Sequence, residues 1–349
     1  MKLNFLRSTA RPALFFSLAL AGLLLVNCSK DDDNPPEYDF EDQFEDLDEL
    51  PDVDDPDPEI TEPNTGKVEE SAAKQDLTND LADGGDLSTE TEQSLEAVGD
   101  FSETLSLENQ QAAADLTSEK IEEIFNAEEL SSDLQDLEAA LENAPAEVLN
   151  LLPVIDLGDN LVVTEGSSVV QNDFTRGKAS TKQQTSGCEA AAQAAYEKAM
   201  ADPIAKHEEN LGIIEANYVR RVGEAELRAD NRLEALNQTY EDYKSQFQAA
   251  AIQLLELADS YADTNPDIAE EIRELALIFT VSSRQALKEW YAAGVSTINQ
   301  KEILEVQTAE EIRDEKLEIE NANFEAIKEE AQNKLQAALN ECHDQGSGS

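Results

Sequence analysis

Apolar residues recur every seven positions in the C-terminal half of the chain. Such a repeat is typical of the a and d positions of packed helices, so it predicts a coiled coil or a long helical hairpin over residues 188–343. Two series three residues apart carry the pattern: Leu233, Tyr240, Phe247, Leu254 and Tyr261, with Leu236, Tyr243, Ala250 and Leu257.

A turn signal, Asp263-Thr264-Asn265-Pro266, stands in the middle of this region. Proline suits the first turn of a helix, and Asn265 or Thr264 can cap it. The turn lies midway between Cys188 and Cys342. Two helices of about 75 residues, each roughly 110 Å long at 1.5 Å per residue, would therefore run out and back and bring the cysteines together.

An antiparallel pair with this turn also fixes which residues face each other. The numbers of facing residues should add up to about 530, with an error of about four, so we expect Tyr240 to lie near Trp290. Pro203 and Gly294 are the positions where we expect a kink or a break, because both residues weaken helices.

Residues 66–160 contain several short amphipathic runs, each behind a residue that starts helices. Thr117, Ser131 and Pro145 precede three of these runs, and the Gly84-Gly85 pair ends an earlier one. The stretch from Ser88 to Ala114 is expected to form one further helix. The pattern predicts a small all-helical unit that needs packing against its neighbour for stability.

The remaining segments lack a helical period. Residues 161–187 are interpreted as a linker with room for one short strand, and residues 344–349 as a flexible tail. Residues 29–65 contain 17 acidic residues, one lysine and six prolines. Repulsion and proline disfavour folding, so we predict a disordered acidic tether over residues 28–65. Four apolar residues leave open a short helix formed on a partner: Phe40, Phe44, Leu47 and Leu50.

The charge of the 349-residue chain narrows its partners. Against 77 Asp and Glu residues there are 25 Lys and Arg, which gives a net charge of −52. Affinity for nucleic acid comes mainly from basic residues that neutralise phosphates, so nucleic acid is excluded as a partner, and so is direct docking on anionic lipid heads. Aromatic residues make up only 5% of the chain, which favours elongated helices over one large core.

The first 33 residues form an export and anchoring signal. Lys2, Arg7 and Arg11 precede an apolar run of 14 residues, Ala13 to Val26, and Cys28 follows. This segment resembles a bacterial lipoprotein signal, in which residues 1–27 are removed and a lipid, palmitate among its acyl chains, is attached to the cysteine. The charged run after Cys28, Ser29-Lys30-Asp31-Asp32-Asp33, resembles the tag of Bacteroidota-type surface-exposed lipoproteins.

The resemblance implies a protein held in the outer membrane by the lipid at Cys28, on the cell surface or alternatively on the periplasmic face. A plain secretory signal with an incidental cysteine is the competing interpretation. An N-terminal membrane helix is disfavoured because 14 apolar residues are fewer than the roughly 20 that span a bilayer.

Cys188 and Cys342 form an even pair once Cys28 carries lipid. In an exported protein such a pair favours a disulfide bond, so we predict that it closes the open end of the hairpin. The alternative uses both cysteines and His343 as metal ligands. That set lacks a fourth ligand and paired cysteine spacing, so no metal site and no cofactor is predicted.

No sequence motif of a catalytic site or phosphate-binding loop is present, and we predict that the protein is not an enzyme. His207, among charged neighbours, is interpreted as a solvated helix position rather than a general base. The aromatic residues Trp290, Tyr291, Tyr240 and Tyr243 suit either core packing, which is favoured, or a sugar site. The acidic runs at 52–55 and 80–86 lack the ligand order of a calcium loop and predict weak divalent-cation binding at most.

The sequence therefore predicts an all-α, lipid-anchored envelope protein with a structural or protein-interaction role. A hairpin that serves as a spacer or adhesion-like module is the first interpretation, with a protein partner that the sequence does not identify. A scaffold or chaperone-like component of an outer-membrane assembly or secretion machine is the alternative.

Overall fold

The computed structural model describes residues 38–159 and 187–346. It is mostly helical, with two long helices at the C-terminal end and smaller elements before them. In chain order the elements are a 3-10 helix Glu41–Phe44, strand β1 Lys67–Glu69, helices α1 Ala72–Asp83, α2 Thr89–Glu103, α3 Leu107–Ala114, α4 Ser118–Asn126, α5 Ser132–Leu141 and α6 Ala146–Leu149, strand β2 Val154–Asp156, and helices α7 Gly187–Tyr261 and α8 Pro266–Gly346.

The two long helices form the predicted antiparallel hairpin. Helix α7 has 75 residues and α8 has 81, and they pack against each other along their length. At the turn, the backbone N–H groups of Thr264 and Asn265 both donate to Tyr261 O, and Ala269 N donates to Asn265 O. Pro266 begins α8, as its missing N–H and fixed φ favour.

Neither expected break occurs. Proline inside a helix costs about 3 kcal/mol, yet α7 continues through Pro203 because the helix on both sides of it packs against α8. Helix α8 continues through Gly294, where glycine permits close contact between the helices. A Cβ atom at Gly294 would lie 2.9 Å from Leu236 Cδ1. The expectation of a break at Pro203 or Gly294 was therefore wrong.

The predicted register of the hairpin is confirmed. The rings of Tyr240 and Tyr291 meet edge to face with centroids 5.2 Å apart, one residue from the expected partner Trp290. Near the middle of the hairpin, the Arg313 guanidinium lies 4.4 Å from the centre of the Tyr218 ring. In each pair the two residue numbers add up to about 530, within the expected error.

Over the full length of the hairpin, burial repeats every eleven residues. The heptad predicted from Leu233 to Tyr261 is confirmed in that all its members are buried or half-buried. It does not continue towards the N-terminus of α7, because Val219, two heptads before Leu233, is 59% exposed. An eleven-residue repeat gives 3.67 residues per turn, close to the 3.6 of a straight helix, so the seam needs no left-handed supercoil. The buried series are Ala192, Pro203, Ile214, Ala225, Leu236, Phe247 and Ala258 in α7, and Ala276, Leu287, Ile298, Ala309, Glu320 and Ala331 in α8.

Helices α1–α6 form a small unit that packs on the turn end of the hairpin. The capping predictions hold for α1, which ends at Gly84 with a φ of 65°, and for α4, where Thr117 Oγ1 accepts from Lys120 N. The single helix expected from Ser88 to Ala114 is instead two, because Ser106 accepts from Asn109 N and starts α3.

The unit also contains a two-stranded antiparallel ribbon that the all-helical prediction missed. Strand β1 pairs with β2 in the register Val68 to Ile155. Gly66 and Gly158 flank the pair, both with a φ of 72°, and a Cβ atom at Gly66 would collide with the Asp156 carbonyl. The ribbon is only three residues long, so its period was too short to detect in the sequence.

Buried cations on two sides of the unit help to attach it to the hairpin. Arg284 of α8 is buried and donates through Nη2 to Ala127 O and Glu128 O, just after the C-terminus of α4, and Lys288 Nζ donates to Glu128 O. On the other side, the buried Lys74 ammonium lies 4.9 Å from the centre of the Phe279 ring. A cation is stabilised both near the C-terminus of a helix and over the face of an aromatic ring. These contacts therefore fix the orientation of the helical unit on the hairpin.

Part of the predicted tether is bound to the protein. Residues 38–65 have the expected extended backbone apart from the 3-10 helix, but they lie along the hairpin instead of in solvent, and Phe40, Phe44 and Leu50 are buried. Residues 1–37, which include Cys28, and 160–186 of the linker lie outside the described residues. Among the described helices, none is long and apolar enough to cross a membrane.

Candidate functional site

Residues 38–65, named the strap here, follow the hairpin from its disulfide-closed end towards its turn. The strap holds 13 acidic residues and no basic one. Its acidic side chains meet cations of α7 in the same order along both segments, from Glu41 with Lys198 to Glu62 with Arg232. These contacts span about 50 Å of α7, and 21 residues cover that distance only if most of their backbone is extended.

Apolar contacts hold the first part of the strap. Phe40 and Phe44 pack in a cluster with Cys188 and Ala192 at the start of α7, and the ring of Phe44 meets that of Tyr196 edge to face, 6.4 Å apart. Leu50 packs in the next cluster, against Met200 and Ile327. The alternative of a short helix formed on a partner is thus realised in part within the chain, as one 3-10 turn on the hairpin.

Arg221 is the centre of the second part of the strap. Its side chain is 5% exposed, and its Nη2 atom donates to Asp55 Oδ1 at 2.7 Å, to Asp55 O at 3.0 Å and to Pro56 O at 3.1 Å. Its Nε atom donates to Asp57 Oδ1 at 3.1 Å. The Asp55 side chain is only 3% exposed, so this is a buried, hydrogen-bonded ion pair.

Electrostatics reinforce the strap on both sides of Arg221. Hydrogen bonds from Lys206 and Arg220 lower the pKa values of Asp52 and Asp57, and a hydrogen bond from Arg232 lowers that of Glu62. Burial alone would lower the pKa of Arg221, but the hydrogen bonds and charges of Asp55 and Asp57 hold it above its ordinary value. The strap therefore binds best with its carboxylates ionised.

A buried polar group joins the strap to both long helices. Asn210 Nδ2 donates to Pro51 O at 2.9 Å and to Glu320 Oε2 at 3.0 Å. His207 Nδ1 lies 2.9 Å from Glu320 Oε1, and its ring stacks on Phe324 with centroids 4.2 Å apart. The interpretation of His207 as a solvated position was therefore wrong, because the eleven-residue repeat turns it towards α8.

The predicted disulfide is present at the open end of the hairpin. Cys188 and Cys342 are bonded with a Cα–Cα distance of 5.8 Å. Their thiolates are thus not available as metal ligands beside His343. Across the residues that the structure describes, no three His, Cys, Asp or Glu side chains are grouped so as to hold a metal ion.

The aromatic residues near the turn belong to the core, as favoured. Trp290 is 1% exposed, and its ring meets that of Tyr243 edge to face with centroids 5.2 Å apart. Tyr291 Oη donates to Asn237 Oδ1 at 2.6 Å. Tyr240, Tyr243 and Tyr291 are partly buried and pack against the main core cluster, as the edge-to-face ring contacts also favour.

A groove opens on the helical unit, at the turn end of the hairpin. It lies between α3, α4 and α5 over a floor that includes Leu277 of α8, and encloses about 320 Å³. Apolar residues form its walls and carboxylates its rim. We name it the tip groove, and its other apolar lining residues are Ala112, Leu116, Ile124, Ala127, Leu130 and Leu134.

Sequence reasoning missed both the strap contacts and the tip groove. The strap contacts have one signal in the sequence. The basic residues of α7 follow one another in the same order as the acidic residues of the strap that they bind: Lys198, Lys206, Arg220, Arg221 and Arg232. The tip groove left none, since its lining comes from four helices separated in sequence. Comparison with known protein families, with curated proteins and with solved structures finds no match to this chain.

Proposed function

We propose that the protein is a lipid-anchored cell-envelope protein in which the hairpin is a spacer and the helical unit is the interaction module. The lipid at Cys28 holds the disulfide-closed end of the hairpin at the membrane. The opposite end then carries the helical unit away from it. The role is structural and does not involve catalysis.

The direction of the strap is the observation that supports this proposal most. Tyr38 belongs to the cluster around Cys188 and Ala338, at the closed end of the hairpin. Tyr38 lies ten positions after Cys28, and a chain of that length reaches at most about 35 Å. An anchor at Cys28 therefore places the closed end, and not the helical unit, next to the membrane.

The length of the hairpin predicts the height of the spacer above the membrane. Helix α7 has 75 residues, which corresponds to roughly 110 Å from the disulfide to the turn. A strap pulled from the membrane runs parallel to α7, so a force on the lipid loads the contacts from Glu41 to Glu62 together instead of opening them one by one.

Lipid attachment is tested directly by metabolic labelling. Cells supplied with an alkyne-bearing fatty acid should label the wild-type protein and not the Cys28→Ser variant, which should leave the detergent phase. A wild-type protein without label contradicts the anchor.

Surface display is a separate question, and protease added to intact cells should remove the protein if residues 29–33 direct it outward.

Spacer geometry is tested with the lipidated protein in a supported bilayer. Neutron reflectometry should report a protein layer roughly 110 Å thick when molecules stand upright at low density, because α7 sets the height. A layer about 25 Å thick, the width of a few packed helices lying flat, contradicts the spacer. A pull-down that returns one protein in equal amount favours the alternative of an assembly component.

A further inference from the structure

The tip groove has the form of a site for a helix. Its walls are three helices, and its apolar floor is set by Leu116, Ile124, Leu130 and Leu277, each less than a tenth exposed. Amphipathic helices commonly bind proteins by laying an apolar face into such a groove. The groove is open to solvent along one side, which a closed small-molecule cavity would not be.

The rim of the tip groove is negatively charged. Glu108, Glu123, Glu129 and Asp133 line it, and Lys120 is its one lining cation. Within residues 38–159 and 187–346, none of these five side chains forms an ion pair. Two cations of α8 lie near the rim: Arg284 and Lys288 donate to the backbone carbonyls of Ala127 and Glu128, and Lys288 also interacts with the charge of Glu129. The four rim carboxylates belong to α3, α4, α5 and the loop before α5, and Lys288 counters only part of their charge.

We propose that the tip groove binds a cationic amphipathic helix of a partner protein. Leucine-like side chains at helical spacing would cover the apolar floor, and flanking lysine or arginine side chains would meet the rim carboxylates. Charge complementarity decides this occupant: an acidic helix, or the strap of a second copy, would bring carboxylates against carboxylates. In naming a class of partner, the inference deepens the proposed function and rests on it for the place where partners meet.

Lys120 carries the opposite charge to the other charged residues of the rim, so it allows a second, independent test. A cationic partner is repelled by Lys120 and attracted by Glu123, one turn further along α4. Removing the lysine charge should therefore tighten binding, while removing a rim carboxylate should weaken it. A groove that recognised only apolar surface would respond to neither change.

The test is a binding titration with the full chain and defined peptides. The probe is a fluorescent 18-residue peptide of leucine and lysine with the leucines on one helical face, compared with a leucine and glutamate peptide of the same spacing. Fluorescence anisotropy at 150 mM salt should give saturable binding of the lysine peptide alone. The double change Glu123→Gln with Glu129→Gln should weaken it about tenfold, Leu134→Gln by a similar factor, and Lys120→Gln should tighten it.

Matched variants control for the general negative charge of the protein. Glu90→Gln with Glu92→Gln removes two carboxylates from the exposed first turn of α2, and Leu149→Gln replaces an exposed apolar side chain of α6. None of these three positions lines the groove. These controls should change affinity less than twofold. Circular dichroism should show that all variants keep the helix content of the wild type.

Three results would overturn the inference. Equal weakening by the groove variants and the controls would mean diffuse attraction. Equal binding of the glutamate peptide would remove the charge argument. Absence of saturable binding would remove the site. The titration does not use the lipid, so none of these results contradicts the proposed anchor and spacer. In the same way, absence of the lipid would not contradict helix binding by the tip groove.

Discussion

Ser102 Oγ donates a hydrogen bond of 2.6 Å to Glu274 Oε1, across the interface between α2 of the helical unit and α8 of the hairpin. Burial raises the pKa of Glu274 to about 7, against the lowering effect of this hydrogen bond. The nearby carboxylates of Glu103, Glu270 and Glu271 raise it further. Burial also raises the pKa of Glu271, so this interface favours protonated carboxyl groups.

This interface should lose stability as the pH rises. The folded-state pKa of Glu274 is raised, so its contribution is fully present below the unfolded pKa of about 4.5 and is lost as the pH passes about 7. Glu274 is partly exposed, and after solvent screening we expect a loss on the order of 1–2 kcal/mol. Urea unfolding followed by tryptophan fluorescence of Trp290 at pH 5 and pH 8 measures it.

Glu274→Gln should remove most of that pH dependence, because glutamine stays neutral. The variant should be more stable than the wild type at pH 8 and close to it at pH 5. Glu122→Gln, an exposed position on α4, is the control and should leave the wild-type profile unchanged. A Glu274→Gln profile that still falls between pH 5 and pH 8 as in the wild type would refute this assignment.

Arg221→Met should release the middle of the strap. The change leaves the buried Asp55 carboxylate without its cation, and breaking a buried ion pair costs about 3–5 kcal/mol. Glu-C protease, which cuts after acidic residues, should then cleave within 38–65 much faster than in the wild type. Lys198→Gln removes an exposed pair with Glu41 and should have an effect below about 1 kcal/mol. Equal strap protection in both variants contradicts the role of Arg221.

Acid should release the strap by a different route. The pKa values of Asp52, Asp57 and Glu62 are lowered by Lys206, Arg220 and Arg232, so their stabilising contribution is present above the ordinary carboxyl pKa and is lost as the pH falls below about 4. Hydrogen exchange should show strap amides losing protection at pH 3.5 while those of the turn end remain protected. Strap protection that persists at pH 3 argues against ionic binding.

Reduction of the disulfide should loosen the closed end first. The bond closes a loop of 154 residues, which corresponds to about 5 kcal/mol in the chain-entropy model. Amides near Cys188 and Cys342 should exchange faster after reduction, together with the strap around Phe44. Amides near Leu254 and Leu275 should not change, because the largest core cluster surrounds them. Uniform acceleration along α7 would contradict this order.

Crosslinking of the oxidised protein checks the register of the hairpin. Amine-reactive reagents should join Lys244 to Lys288 near the turn and Lys198 to Lys334 near the disulfide. In both pairs the residue numbers add up to about 530, as they do for facing positions of the hairpin. Links between Lys198 and Lys288 would require a folded-back bundle and would exclude the extended hairpin.

The sequence by itself determined the long-range plan of the hairpin. Asn265-Pro266 gives one turn, and a cysteine stands at nearly equal distance on each side of it, so helix geometry alone fixes the facing residues. The helix starts at Thr117 and the stop at Gly84 are local as well, since they depend on hydrogen bonds and φ values within a few residues. Local rules of this kind can be read from a single chain.

Only the tertiary structure decided where the acidic strap lies and how the seam repeats. Composition indicated a solvated tether, because chain entropy and charge repulsion outweigh what residues 38–65 gain alone; the cations of α7 and the apolar sites for Phe44 and Leu50 exist only once the hairpin has formed. The tip groove depends in the same way on helices distant in sequence. Contacts between separate segments, unlike caps and turns, have no local signature.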